Sequence, residues 1–188
     1  MLRATSTSIY YQTKQEGSTQ PPREAVAGID WSRVRDVNGK ETVVNRPLAF
    51  PLTVGKTWNL DYTEQHPNKG HKTETFHNKY TVIGYESIQV PAGTFNALKI
   101  EAEGRWEAEI EPSQSTLATT QAMQNTTVAV AQVTKTLAAT ATGRTYKAFW
   151  YAPEVKRFVR TEEEYYSNGG IRNERYTSEL EAFTQNTQ

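Results

Sequence analysis

The chain contains no cysteine. That excludes disulfides, thiolate metal centres and cysteine nucleophiles. An excess of one charge is also missing, since Lys plus Arg and Asp plus Glu both count 21. With a formal net charge of zero there is no global basic field to hold nucleic acid or an acidic membrane surface. No apolar run approaches the roughly 20 residues that a transmembrane helix needs, so the chain does not read as transmembrane. The opening residues Met1 to Ser6 lack the apolar stretch of a signal peptide, which reads as a cytosolic chain or as the mature or trimmed form of an exported one. Neither a Gly-x-Ser-x-Gly elbow nor a phosphate-binding Gly-rich loop occurs. No catalytic residue and no cofactor are therefore expected.

What the chain has is β character. Its 188 residues suffice for one domain with a real core, and the ten Tyr, six Phe and four Trp, with abundant Thr and Val, favour strands. The clearest stretch is 98–111. Leu98, Ile100, Ala102, Gly104, Trp106, Ala108 and Ile110 fall on one parity, and Lys99, Glu101, Glu103, Arg105, Glu107, Glu109 and Glu111 on the other. Side chains alternate between the faces of a strand, so this pattern predicts a strand with one dry and one charged face. It would run roughly 45 Å if straight, and a bend is expected at Gly104.

Other segments follow the same logic. Residues 6–13 read as a first strand. Runs at Val26–Val37 and Lys40–Asn45 flank Asn38-Gly39, whose tolerance of positive φ predicts a tight hairpin. Trp58, Leu60 and Tyr62 alternate with polar neighbours. Phe76, Tyr80, Val82, Ile88 and Val90 share a parity, with a bulge predicted around Gly84 and Glu86. Pro91–Thr94 reads as a turn. Strands at 145–151 and 157–166 follow, and Asn168-Gly169-Gly170 closes a hairpin into 171–183. Residues 113–142 differ. Lys135 is their only charge, and Met123, Thr127, Val130, Thr134, Leu137 and Ala141 recur at helical spacing between Pro112 and Gly143. That punctuation favours a helix, or a long loop, inserted at about 113–142. Val128–Val133 also reads as a strand, because Thr and Val are mediocre helix formers.

Two stretches, Gly84–Glu101 ("GYESIQVPAGTFNALKIE") and Phe149–Tyr165 ("FWYAPEVKRFVRTEEEY"), followed by Glu179–Phe183 ("ELEAF"), resemble a group of uncharacterised exported proteins of Gram-negative bacteria. Pro51–Trp58 ("PLTVGKTW") is similar to the element that opens this module. The resemblance covers roughly residues 47–183, with 113–142 as an insertion. It implies a β-rich module of the periplasm or outer membrane and carries over no catalytic residues.

Candidate sites are few. His66, His71 and His77 fall close together, but His71 and His77 are about 20 Å apart along one strand, too far for one ion. They read as exposed polar residues, and no metal is expected. The carboxylates of 101–111 and Glu162–Glu164 read as a solvated face paired to Arg and Lys, since burial that would raise one pKa is missing. Trp58, Tyr62, Phe76, Tyr80, Trp106, Trp150 and Tyr176 are assigned to the dry face. They are read first as core and second as the lining of a concave cavity for an apolar ligand. Val128, Val130, Val133 and Leu137, apolar residues in an uncharged stretch, are candidate partner contacts.

The fold expected is mainly β: one long, twisted antiparallel sheet curled into a half-barrel or open barrel, with the 113–142 insertion packed on it. The function expected is that of a non-enzymatic cell-envelope module that binds another envelope component, with a carrier of a hydrophobic small molecule as the alternative.

Overall fold

The computed structural model describes residues 3–67, 70–123 and 126–183, with side chains left aside for 113–132 and 136. Its strands are β1 (Arg3–Ala4), β2 (Ser8–Thr13), β3 (Arg23–Gly28), β4 (Arg33–Val37), β5 (Lys40–Asn45), β6 (Thr57–Gln65), β7 (His71–Val90), β8 (Gly93–Ile110), β9 (Ser113–Met123), β10 (Thr126–Thr136), β11 (Ala139–Ala152), β12 (Arg157–Ser167) and β13 (Arg172–Glu179). All pairings are antiparallel. The main sheet has six strands in the order β13-β12-β11-β8-β7-β6. The alternating strand β8 is central, with 18 residues, and β7 beside it has 20.

The single sheet expected is corrected: the described strands form four sheets, the others being β1-β2-β3, β4-β5 and β9-β10. The main sheet is open, with β6 and β13 as its two edges. No sheet closes or curls strongly into the half-barrel expected from the sequence. A concave wall would need its rows to converge, and here the second face is packed as well, which leaves the sheet nothing to wrap around.

The described residues of 113–142 contain no helix. Strands β9 and β10 form a two-stranded sheet of their own, in register from Thr126 opposite Met123 to Thr136 opposite Ser113. The physical reason is continuity. The β8–β11 ladder ends with Ala139 opposite Ile110, and the β9–β10 ladder resumes two residues further on. The arm prolongs the central pair of the sheet, so a chain already extended on both sides keeps its ladder. Thr and Val conform readily to it.

Core forms on both faces of the main sheet. On one face Tyr80, Val82, Leu98, Ile100, Ala102 and Phe149 pack against Ile9, Ala27, Trp31 and Leu48, which come from β2, β3 and the segments after them. On the other, Ile88, Val90, Ala97, Ala148, Trp150, Ala152 and Val159 pack with Leu180. The first face is called the inner face below and the second the outer face.

The bulge expected near Gly84 is present, as a register shift between Val82 and Gly84. Its consequence was not foreseen. One extra residue exchanges the faces, so Val82 lies in the inner core while Ile88 and Val90 join the outer one. No bulge sits at Gly104, where the ladder runs without a shift. Glycine is required there for clearance. A Cβ would stand 2.3 Å from Asn78 Oδ1 and 2.7 Å from Thr145 Oγ1, two side chains that meet over it in a 2.7 Å hydrogen bond. The Asn38-Gly39 turn has the predicted positive φ angles of 58° and 74°.

Candidate functional site

The aromatic set divides between three environments. Trp58 and Tyr80 oppose each other on β6 and β7 and stack at 5.3 Å in the inner core. Tyr80 is fully buried, and its hydroxyl donates to Asn45 Oδ1 at 2.8 Å. Burial pushes its pKa well above the usual tyrosine range. Further along the same face Tyr62 and Phe76 stack at 4.9 Å, and Phe76 opposes Trp106 on β8. These three are half-buried. Tyr62 is pushed up to about 12, chiefly by burial. The Trp106 indole leans over Gly143, where a Cβ would lie 2.4 Å from Nε1, and that nitrogen donates to the Tyr166 carbonyl at 3.3 Å.

Two members leave the assigned face or its cover. Trp150 opposes Lys99, a residue of the charged parity, and belongs to the outer core. Lys99 Nζ and the Arg160 guanidinium lie 5.4 and 5.3 Å from its ring. The run Tyr146–Tyr151 is covered on both faces, so its parity carried no information. Tyr176 keeps the inner parity, opposite Glu163, but stands 59 % exposed on the edge strand β13. The seven residues therefore do not line one concave cavity. Trp106, expected to be buried, is only partly so.

Sequence reasoning missed a polar cluster inside the inner face. Lys147 is 4 % exposed, and its Nζ lies 3.1 Å from Glu163 Oε2. Arg33, reaching over from β4, meets the other oxygen of Glu163 at 3.0 Å. Tyr165 donates to Glu163 at 3.3 Å. Burial alone would raise the Glu163 carboxyl; Lys147 and Arg33 outweigh it and hold the group below the usual carboxylate range. These contacts, with Arg35 to Glu64 and Asn38 to the backbone of Thr63 and Gln65, fasten the β4–β5 hairpin to the sheet. The one available signal was a lone Lys147 within an apolar run.

The outer face carries a charged ladder, but Glu162–Glu164 are not the solvated carboxylates expected: Glu163 turns into the inner cluster, and Glu164 is only 7 % exposed because arginines of β13 cover it. Glu101 is bound by Lys99 at 2.7 Å and by the Tyr146 hydroxyl at 2.8 Å. Glu162 meets Arg175 at 2.7 Å, and Glu164 meets Arg172 at 2.8 Å. The histidines face three different carboxylates: His66 faces Glu111, His71 faces Glu74 and His77 faces Asp61. Among the described residues no three metal-binding side chains converge.

Two adjoining hollows also open on this face. One, of about 480 Å³, is lined by Asn59, Asp61, His77, Lys79, Glu103 and Arg105, with Asn78 and Gly104 between them. The other, about 240 Å³, is lined by Arg105, Glu107, Thr142, Arg144 and Asn168, with Trp106 and Gly143 between them. Both are shallow and lined mainly by polar and charged residues.

The candidate partner contacts lie on the arm. Val133 and Leu137 are exposed, at 50 % and 78 %. Val128 and Val130 pair in register with Gln121 and Thr119, and their side chains lie outside the described residues. No helix is long and apolar enough to cross a membrane. No known protein family, curated protein or solved structure matches the chain.

Proposed function

We propose that this chain is a non-enzymatic binding module of the cell envelope, periplasmic or associated with the outer membrane, and that it holds another envelope component through the β9–β10 arm. The observation that carries this reading is the arm itself. It prolongs the two central strands, and among the described residues no further strand pairs with the outer edge of either β9 or β10. Such edges present rows of unpaired N–H and C=O groups, the template for adding a strand from a partner. Natural proteins blunt exposed edges with charge or proline. Lys135 is the only charge between Glu111 and Arg144, and no proline occurs between Pro112 and Pro153. The resemblance of Gly84–Glu101 and Phe149–Tyr165 to exported proteins supports the location.

The alternative, a carrier of a hydrophobic small molecule, has less support. Tyr80 and Trp58 are committed to the inner core, and the two hollows described above are lined mainly by polar and charged residues. The test replaces residues 113–136 by a short Gly-Ser linker. Circular dichroism is expected to show retained β structure. Crosslinking in the native host, read by mass spectrometry, is expected to show the loss of one envelope protein. Retained folding with every crosslink intact would sink the proposal.

A further inference from the structure

The row of directly opposed residues across the outer face runs Asp61, His77, Arg105, Arg144, Tyr166. Arg105 and Arg144 therefore stand side by side on the two central strands. Like charges at directly opposed positions destabilise a sheet, so the pair needs a reason. Its internal neutralisation is slight. Arg105 has Glu107 at 3.7 Å from Nε, with both side chains at least half exposed. Arg144 makes no hydrogen bond or ion pair among the described residues. Both arginines line the smaller hollow, where Thr142 and Asn168 add polar groups. This is the donor set that suits a tetrahedral oxyanion.

The larger hollow adjoins this one through Arg105. Its lining is different in kind. Asn59, Asp61 and Glu103 offer acceptors for hydroxyl groups. Lys79 and Glu103 oppose each other and bring no net charge. A ligand matching both hollows has one anionic end and one neutral, hydroxyl-rich end. We infer that the outer face binds a phosphate monoester of a polyol, with the phosphate on Arg105 and Arg144 and the hydroxylated body over Asn59, Asp61 and Glu103. The site lies on the sheet and does not rest on the arm.

The test is a titration of the whole chain with glucose 6-phosphate, inorganic phosphate and glucose, followed by amide chemical shifts at constant ionic strength. Saturable shifts are expected at Arg105, Gly143 and Arg144, with glucose 6-phosphate binding more tightly than inorganic phosphate and glucose alone producing none. Arg144→Gln is expected to weaken binding by about tenfold or more, the loss of charge-assisted hydrogen bonds. Exposed and unpaired, Arg144 can be replaced without harm to folding, and unchanged shifts elsewhere verify this. Glu107→Gln is expected to strengthen binding by about two- to fivefold, because it removes the competing carboxylate. The absence of saturable shifts, or affinity within about twofold of wild type in Arg144→Gln, would overturn the site. Equal affinity for glucose 6-phosphate and inorganic phosphate would overturn the polyol body.

Discussion

The central pair of strands is one ladder with two fates. On β8 Ala97 enters the outer core and Leu98, Ile100 and Ala102 the inner one, and between Ala148 and Ala152 on β11 side chains alternate into the two cores. Beyond Ile110 and Ala139 the same ladder continues as β9 and β10, and among the described residues no further strand pairs on either side. Pairing therefore does not require a third strand here. The cores hold the sheet together, and the extension is carried by a ladder that has already been nucleated. Stability should reside almost entirely in the first region, and that division can be broken in steps.

The largest effect is expected at the centre. Tyr80→Ala removes a fully buried ring that stacks on Trp58, and should destabilise by about 3 to 5 kcal/mol in a denaturant melt. A loss below about 1 kcal/mol would mean that the inner core is not where stability lies. Glu163→Gln comes next. It leaves Lys147 buried beside a neutral amide and is expected to cost about 3 kcal/mol near neutral pH. The sign with pH follows from the lowered carboxyl. The contribution of Glu163 is fully present above the unfolded value near about 4.3 and is lost as pH falls through the lower, folded value. The difference between wild type and Glu163→Gln should thus shrink on acidification. A difference that is constant from neutral pH to pH 3 would remove the ion pair from the account.

Trp106 tests the boundary between the two regions. It is half-buried, and Trp106→Ala should cost less than Tyr80→Ala, about 2 kcal/mol. Smallest of all should be the excision of 113–136, which is expected to shift global stability by about 1 kcal/mol or less, as changes in loop length usually do. Collapse of the fold on excision would join the two regions into one and end the comparison.

Much of the frame could be read in the sequence because one physical signal dominated it. The period-two pattern of Leu98–Ile110 placed a central strand, and Asn38-Gly39 placed a hairpin with the φ angles that glycine and asparagine accept. The signal failed where both faces are covered. Tyr146–Tyr151 is almost uniformly apolar, so Trp150 could not be assigned a side. It failed again past the bulge at Val82–Gly84, where one inserted residue inverts the parity of Ile88 and Val90. In 113–136 helical spacing and strand propensity competed, and the decision came from the ladder on either side, which is a tertiary fact. The polar groups of the candidate sites were hidden for the same reason. Lys147 meets Glu163, and Arg105 meets Arg144, through register across strands far apart in sequence.

The two cores also differ in their chromophores. Trp31 and Trp58 belong to the inner face, where Trp31 packs edge-on against Phe158 and Trp58 is stacked on Tyr80. Trp150 belongs to the outer face, held between two cations and donating to the carboxylate of Glu86. Excited indole is sensitive to neighbouring charge, so the two faces should fluoresce with separable colours and lifetimes. Because β7, β8 and β11 contribute to both cores, the two signals should nonetheless vanish together on unfolding. That would make the pair of tryptophan environments an internal clock for whether this sheet comes apart as a single cooperative body.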